Sequence, residues 1–263
     1  MEASHDRVRD RKGSWRRALA ALDHVREAGG KISVNSQINR INYKEHIELL
    51  PLIKKAGCHS WQIQITIPHG NATENFDIVL QPYMLLDVYE EIGKLVQACK
   101  DANMIIWPGN NLGYFGPLEQ AIRGVQLVNG HYNGCKAGQT TISIESDGTI
   151  KPCPTLGSKT NQGGNIRYNS IQEIWARAPE VTYTRRRTLD ELWGFCRDCY
   201  YADLCRGGCT ATSEPTMGRP GNNPYCHHRA LELDARGERE RLELVLDAGK
   251  QPFGFGAFKL IRE

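Results

Sequence analysis

Residues 14–107 alternate between two hydrophobic periods. Trp15, Ala18, Leu22 and Val25 recur at helical spacing behind Ser14, a residue type suited to capping a helix, and Gly29-Gly30 supplies a stop. The segment 31–37 then changes to period two, with Ile32 and Val34 alternating with Ser33, Asn35 and Gln37. A second amphipathic helix is predicted over about 43–56, ending near Gly57. A second alternating strand follows, with Trp61, Ile63, Ile65 and Ile67 on one face and Gln62, Gln64 and Thr66 on the other. A third helix over about 83–102 precedes a short strand at 105–107. Strands separated by helices predict βα units and a parallel sheet, so the fold class is α/β. Buried parallel strands usually read as continuous apolar runs, yet these two each carry a polar face. A curved sheet with helices outside and a wet, ligand-holding interior accounts for that pattern.

The pattern changes after about residue 130. Gly130, His131, Tyr132 and Gly134 lead to a β-prone run at 141–145, and Asp147-Gly148 signals a hairpin turn before 149–151. A short helix is expected at 171–176, then a loop-rich cysteine segment and a polar helix over about 229–247. The expected organisation is therefore residues 1–129, residues 130–234, and a C-terminal helix and tail over 235–263. A loop-rich segment with little apolar periodicity needs another source of stability, and metal ligation supplies one.

Charge and composition narrow the function classes. A net charge of +3 over 263 residues gives no argument for nucleic acid. The group Arg7, Arg9, Arg11, Lys12, Arg16 and Arg17 reads first as a solvated face. No stretch approaches the ~20 apolar residues of a membrane span, and the polar N-terminus has no secretory apolar core. Nine cysteines, an odd number, argue against a disulfide framework and for thiols that bind metal in a reducing cytoplasm.

Seven of those cysteines fall in one run, C-x12-G-x4-C, then C-x2-C-x5-C-x3-C, then a last one: Cys135, Gly148, Cys153, Cys196, Cys199, Cys205, Cys209 and Cys226. Spacing leaves zinc and iron–sulfur open, since a four-cysteine zinc site and one of three cysteines plus His131, His227 or His228 would use the same residues. Cys58 and Cys99 stand outside the run and read as buried thiols.

The complete run resembles the SPASM domain, the auxiliary-cluster extension of radical SAM peptide-modifying enzymes. Gly164-Asn165-Ile166 and the stretch from Ser170 to Trp175 also look like the segment between its cysteine groups. The resemblance implies two 4Fe-4S clusters, one held by Cys196, Cys199, Cys205 and Cys226, the other by Cys135, Cys153 and Cys209. Some relatives carry a further cysteine where this chain has Asn129 and Gly130, so the fourth iron is open or takes a non-cysteine ligand, His131 being the nearest candidate. Upstream, His5-Asp6-Arg7-Val8-Arg9 looks like the H-D-x-x-R stretch after the fourth strand of the radical SAM partial barrel, which makes Arg9 the candidate for the carboxylate of S-adenosyl-L-methionine (SAM).

The C-x3-C-x2-C motif that binds the SAM-cleaving cluster is absent, and Thr212 stands where Cys205-x3-Cys209 would need its third cysteine. The expectation is thus a C-terminal portion: the last part of an incomplete βα barrel followed by a SPASM domain. Pro154 occupies the place of the aspartate base of sulfatase-maturing relatives, which disfavours that chemistry. The implied function is cytoplasmic modification of a peptide or protein, with SAM as cofactor in a full-length form. The auxiliary clusters would serve substrate binding or electron transfer from a reductant such as flavodoxin or ferredoxin. A stand-alone electron-relay or peptide-binding module and a structural zinc protein are the alternatives.

Overall fold

In the computed structural model, residues 1–124, 130–157, 160–251 and 254–263 are described. Helix α1 (Glu2–Val8) leads to α2 (Ser14–Glu27). Ser14 is the first residue of α2, and the cap comes from seven or more residues upstream: Asp6 accepts hydrogen bonds from the Gly13 and Trp15 amides and the Ser14 hydroxyl. Strands β1 (Ser33–Ile38), β2 (Ser60–Ile65) and β3 (Ile105–Pro108) form a parallel sheet in that order, with Val34 beside Trp61 and Ile63 beside Pro108. Helix α3 (His46–Lys55) joins β1 to β2. The short α4 (Asn71–Glu74) and the long α5 (Leu85–Asp101) lie between β2 and β3.

Period two explains how the sheet is covered. Trp61, Ile63 and Ile65 are buried in one apolar core with Ile53 of α3 and Val88, Ile92 and Leu95 of α5. Gln62 and Gln64 face the other way, and the Asn35 carboxamide hydrogen-bonds both of them across the strands. The predicted polar face is therefore a ladder of side-chain amides.

Beyond α6 (Glu119–Arg123), β4 (Ser143–Ile144) and β5 (Thr149–Lys151) form the predicted hairpin, and β6 (Gly164–Asn165) adds to β5. Asp147 accepts the Thr149 amide at 2.9 Å and Gly148 takes φ 88°, which makes the turn. Helices α7 (Ile171–Arg177), α8 (Pro179–Arg186), α9 (Ala202–Cys205), α10 (Thr210–Met217) and α11 (His227–Asp234) follow.

The C-terminus corrects the sequence reading. The helix expected over 229–247 ends at Asp234, and β7 (Glu240–Leu246) and β8 (Ala257–Arg262) form an antiparallel hairpin instead of a helix and tail. Gly237, at φ 70°, ends the helical path. Residues 240–246 then alternate with period two, burying Leu242 in the main core while Glu243 and Val245 face outward. Buried Arg229 and Glu240 pair in a two-pronged fork, Nε to Oε2 at 2.6 Å and Nη2 to Oε1 at 2.9 Å, tying α11 to β7. Tyr225 also lies in the main core, its hydroxyl donating to the Leu80 carbonyl at 2.7 Å.

Candidate metal centres and adjoining cavities

The cysteines are placed by turns. Cys196 ends a short 3-10 turn, and Cys199 follows, accepting the Tyr201 amide on its sulfur at 3.4 Å. The Asn223 amide donates to the Cys196 sulfur at 3.5 Å. Cys205 ends α9, and Cys209 precedes α10. Between them Arg206, Gly207 and Gly208 take φ of 51°, 78° and 71°, three left-handed residues in succession. A Cβ on Gly207 would stand 2.8 Å from the Gly221 Cα, so glycine is required there by contact as well as by conformation.

All nine cysteines are free thiols. Their mutual electrostatics divide the run in two. Burial raises the Cys205 thiol well above its ordinary range, and Cys226, Cys196 and Cys199 add to that. Cys226 is pushed up to about 12 by burial, with Cys196 and Cys199 contributing. Burial also raises Cys209, whose thiol neighbours are instead Cys135 and Cys153. Two neighbourhoods result, one of four thiols and one of three. Among the described residues no three His, Cys, Asp or Glu side chains stand close enough to share one metal ion. Cys58 and Cys99 lie in the main core, away from both groups.

Tyr114 bridges the neighbourhoods. Its hydroxyl accepts the Cys209 amide at 3.0 Å and donates to the Asn110 carbonyl at 2.7 Å. Its own carbonyl accepts from the Cys226 thiol at 3.8 Å. His131 is half-buried, with Nδ1 2.9 Å from the Tyr132 carbonyl oxygen and its ring against Phe115. Gly130 is left-handed at φ 67°, whereas Asn129 lies outside the described residues. His227 stacks on Tyr89 with ring centroids 3.8 Å apart, and His228 meets the Tyr201 ring edge-on.

A cavity of about 410 Å³ separates the three-thiol group from the sheet. Gln37, Gln62 and Gln64 line one side, Cys135, Cys153 and Cys209 another. Asn111 also reaches it, its amide donating to the Ile65 carbonyl at 2.8 Å while its buried Oδ1 has no partner. A second cavity, of about 190 Å³, shares Gln37 and Thr66 with the first and contains Arg9 at its edge. Three buried polar atoms without hydrogen-bond partners belong to its lining residues: Asn39 Nδ2, His46 Nδ1 and Thr66 Oγ1. Burial lowers His46 to about 4, so its ring is neutral near pH 7.

Sequence reasoning named Arg9, which lines the smaller cavity, and the cysteines, but not their neighbours Asn39, His46, Asn111 and Tyr114. Asn39, Thr66 and Asn111 follow the carboxyl ends of the parallel strands, where open α/β sheets bind ligands, and that rule was an available signal. Tyr114 joins groups distant in sequence and had none.

Residues 135–200 match SPASM, described as an iron–sulfur cluster-binding domain. The chain is 25% identical over 241 residues to an AdoMet-dependent heme synthase of Nitratidesulfovibrio vulgaris, covering 88% of this chain and 63% of the relative. It is 22% identical over 235 residues to a PqqA peptide cyclase of Ruegeria pomeroyi, covering 87% and 59%. The chain is thus similar to radical SAM/SPASM proteins. Among solved radical SAM/SPASM structures, anSMEcpe with bound AdoMet superposes with a TM-score of 0.60 at 16% identity, over 85% of this chain and 60% of that one. The chain thus spans about three fifths of the length of these radical SAM/SPASM proteins.

Proposed function

We propose that this chain is the auxiliary-cluster portion of a radical SAM enzyme that modifies a peptide or protein, and that residues 1–129 are the last part of its partial barrel. One observation carries the reading: the 410 Å³ cavity has the amide-lined sheet on one side and three thiols on the other. In this reading Cys196, Cys199, Cys205 and Cys226 hold one 4Fe-4S cluster, and Cys135, Cys153 and Cys209 hold a second whose fourth iron has no cysteine. The donor set fits. Five of the seven thiols lie in or against one apolar cluster, and the amides of Tyr201 and Asn223 supply to Cys199 and Cys196 the hydrogen bonds to sulfur that such centres use. When bound, the clusters supply electron transfer, from a reductant such as flavodoxin or ferredoxin, or an iron for substrate binding.

The chain's own side chains do the positioning. Arg9 would pair with the SAM carboxylate in the smaller cavity, where Asn39, His46 and Thr66 would offer buried polar atoms to the rest of the molecule. Gln37 and Thr66, common to both cavities, bring that ligand next to the substrate space. There Gln62, Gln64 and Asn111 offer donors and acceptors matched to peptide amides.

The heme synthase relative favours a second reading, a tetrapyrrole substrate. That substrate class carries carboxylates, for which the lining offers Lys136, whereas its five carboxamides suit a peptide and support that reading instead. The test is metal analysis after anaerobic reconstitution. About eight iron and eight sulfide per chain are expected, about half that in Cys199→Ala, and no change in Cys58→Ala. Stoichiometric zinc with little iron, or equal iron loss in both variants, contradicts the assignment.

A further inference from the structure

Several buried polar side-chain atoms have no hydrogen-bond partner among the described residues, and their grouping is informative. One trio belongs to residues lining the Arg9 cavity. Another consists of hydroxyls around the three-thiol group: Tyr132, Tyr183 and Thr210. Tyr132 is buried in the apolar cluster that contains Cys209, against which Cys135, Cys153 and Tyr183 pack. Thr210 directly follows Cys209 and is 1% exposed.

Neighbouring hydroxyls are satisfied by protein. Tyr114 donates to the Asn110 carbonyl, Thr184 to the Ala137 carbonyl, and Thr212 and Ser213 to the Cys209 carbonyl. The local backbone therefore has acceptors, and the three hydroxyls make no bond to them. The thiols that bear electrostatically on Tyr183 are Cys135 and Cys209, and those on Tyr132 are Cys135, Cys209 and Cys205. The Tyr183 and Thr210 hydroxyls also lie within reach of each other, and a bond between them uses only one of their two protons. Buried hydroxyls are normally paired, so three beside one group of thiols, with at least two of their protons lacking an acceptor, indicate an acceptor that belongs there.

We propose that the hydroxyls of Tyr183, Thr210 and Tyr132 donate hydrogen bonds to the sulfurs of the centre held by Cys135, Cys153 and Cys209, and thereby set its reduction potential. The proposal rests on the ligand reading above. At most one of these oxygens could fill a single open iron position, whereas hydrogen bonding accounts for all three. Donors to cluster sulfur stabilise the more negative reduced state, so each one removed lowers the potential.

The experiment is an EPR-monitored redox titration of the reconstituted chain and of Tyr183→Phe and Thr210→Val, which keep side-chain shape. Cys135→Ala identifies which signal belongs to the three-cysteine centre. Tyr200→Phe, whose residue is 90% exposed, serves as the control. The expected result is a more negative potential for the three-cysteine centre in both variants. The four-cysteine centre, the iron content and the Tyr200→Phe potentials should be unchanged. Unmoved potentials in both variants overturn the proposal. So does iron loss in Tyr183→Phe, which would make Tyr183 a ligand. A wild-type chain with one cluster instead refutes the ligand reading itself, and metal analysis reveals that before any titration.

Discussion

His46 shows how a single side chain carries both fold and site. It begins α3, stacks on Trp61 with centroids 6.1 Å apart, and lines the Arg9 cavity. Burial lowers it from 6.5 to about 4, so the folded chain keeps the ring neutral where an unfolded one would take a proton. Its contribution is fully present above about pH 6.5 and is lost as pH falls through about 4, a change on the order of 3 kcal/mol. Denaturant titrations of wild type and His46→Gln across that range should show wild type losing more stability than the variant. Parallel curves would contradict a buried neutral ring. The H-D-x-x-R stretch is similarly divided: Asp6 caps α2, while His5, 2.9 Å from the Ser14 hydroxyl through Nδ1, lines the cavity with Val8 and Arg9.

At the scale of elements, local pattern was readable wherever it decided the structure. Period two marked β1 and β2 because each buries one face and wets the other. Asp147-Gly148 marked its hairpin because the turn needs a left-handed glycine. The C-terminal hairpin escaped because the leucines and charges of 240–246 satisfy helical and strand spacings at once, and the choice is made by partners remote in sequence. Those partners are Arg229 for Glu240 and Gln81, whose Oε1 accepts the Leu242 amide at 2.7 Å. Arg229 and Glu240 are each 2% exposed in the side chain, so Arg229→Met strands a carboxylate on which Arg262 has only a partial hold. A loss of about 3 kcal/mol in chemical denaturation is expected, with reduced amide protection in β7 and β8. Replacing Glu240 by Leu as well should recover most of it. If the single variant is as stable as wild type, the fork does not secure the hairpin.

Across the whole molecule, the match to an iron–sulfur cluster-binding domain over 135–200 was legible because such domains fix cysteine type and spacing together. The cavities were not, since they are assembled from strand ends, a loop and the thiol segment. The chain contains no C-x3-C-x2-C, and its sheet places β1 at an edge. On the proposed reading, the reconstituted 263-residue chain with reductant forms no 5′-deoxyadenosine, whereas an upstream extension bearing that motif does. Turnover by the shorter chain would show the motif to be dispensable.

Tyr225 limits how these parts can be rearranged. Its ring sits in the core that covers the sheet and its hydroxyl reaches Leu80, while the next residue is Cys226 of the four-thiol group. Cysteine-rich segment and sheet therefore share an anchor rather than a hinge. A cysteine-rich segment expressed alone would display a core tyrosine to solvent, and grafting it onto a relative's sheet would require a matching slot and carbonyl. The two parts are best exchanged between relatives as one piece.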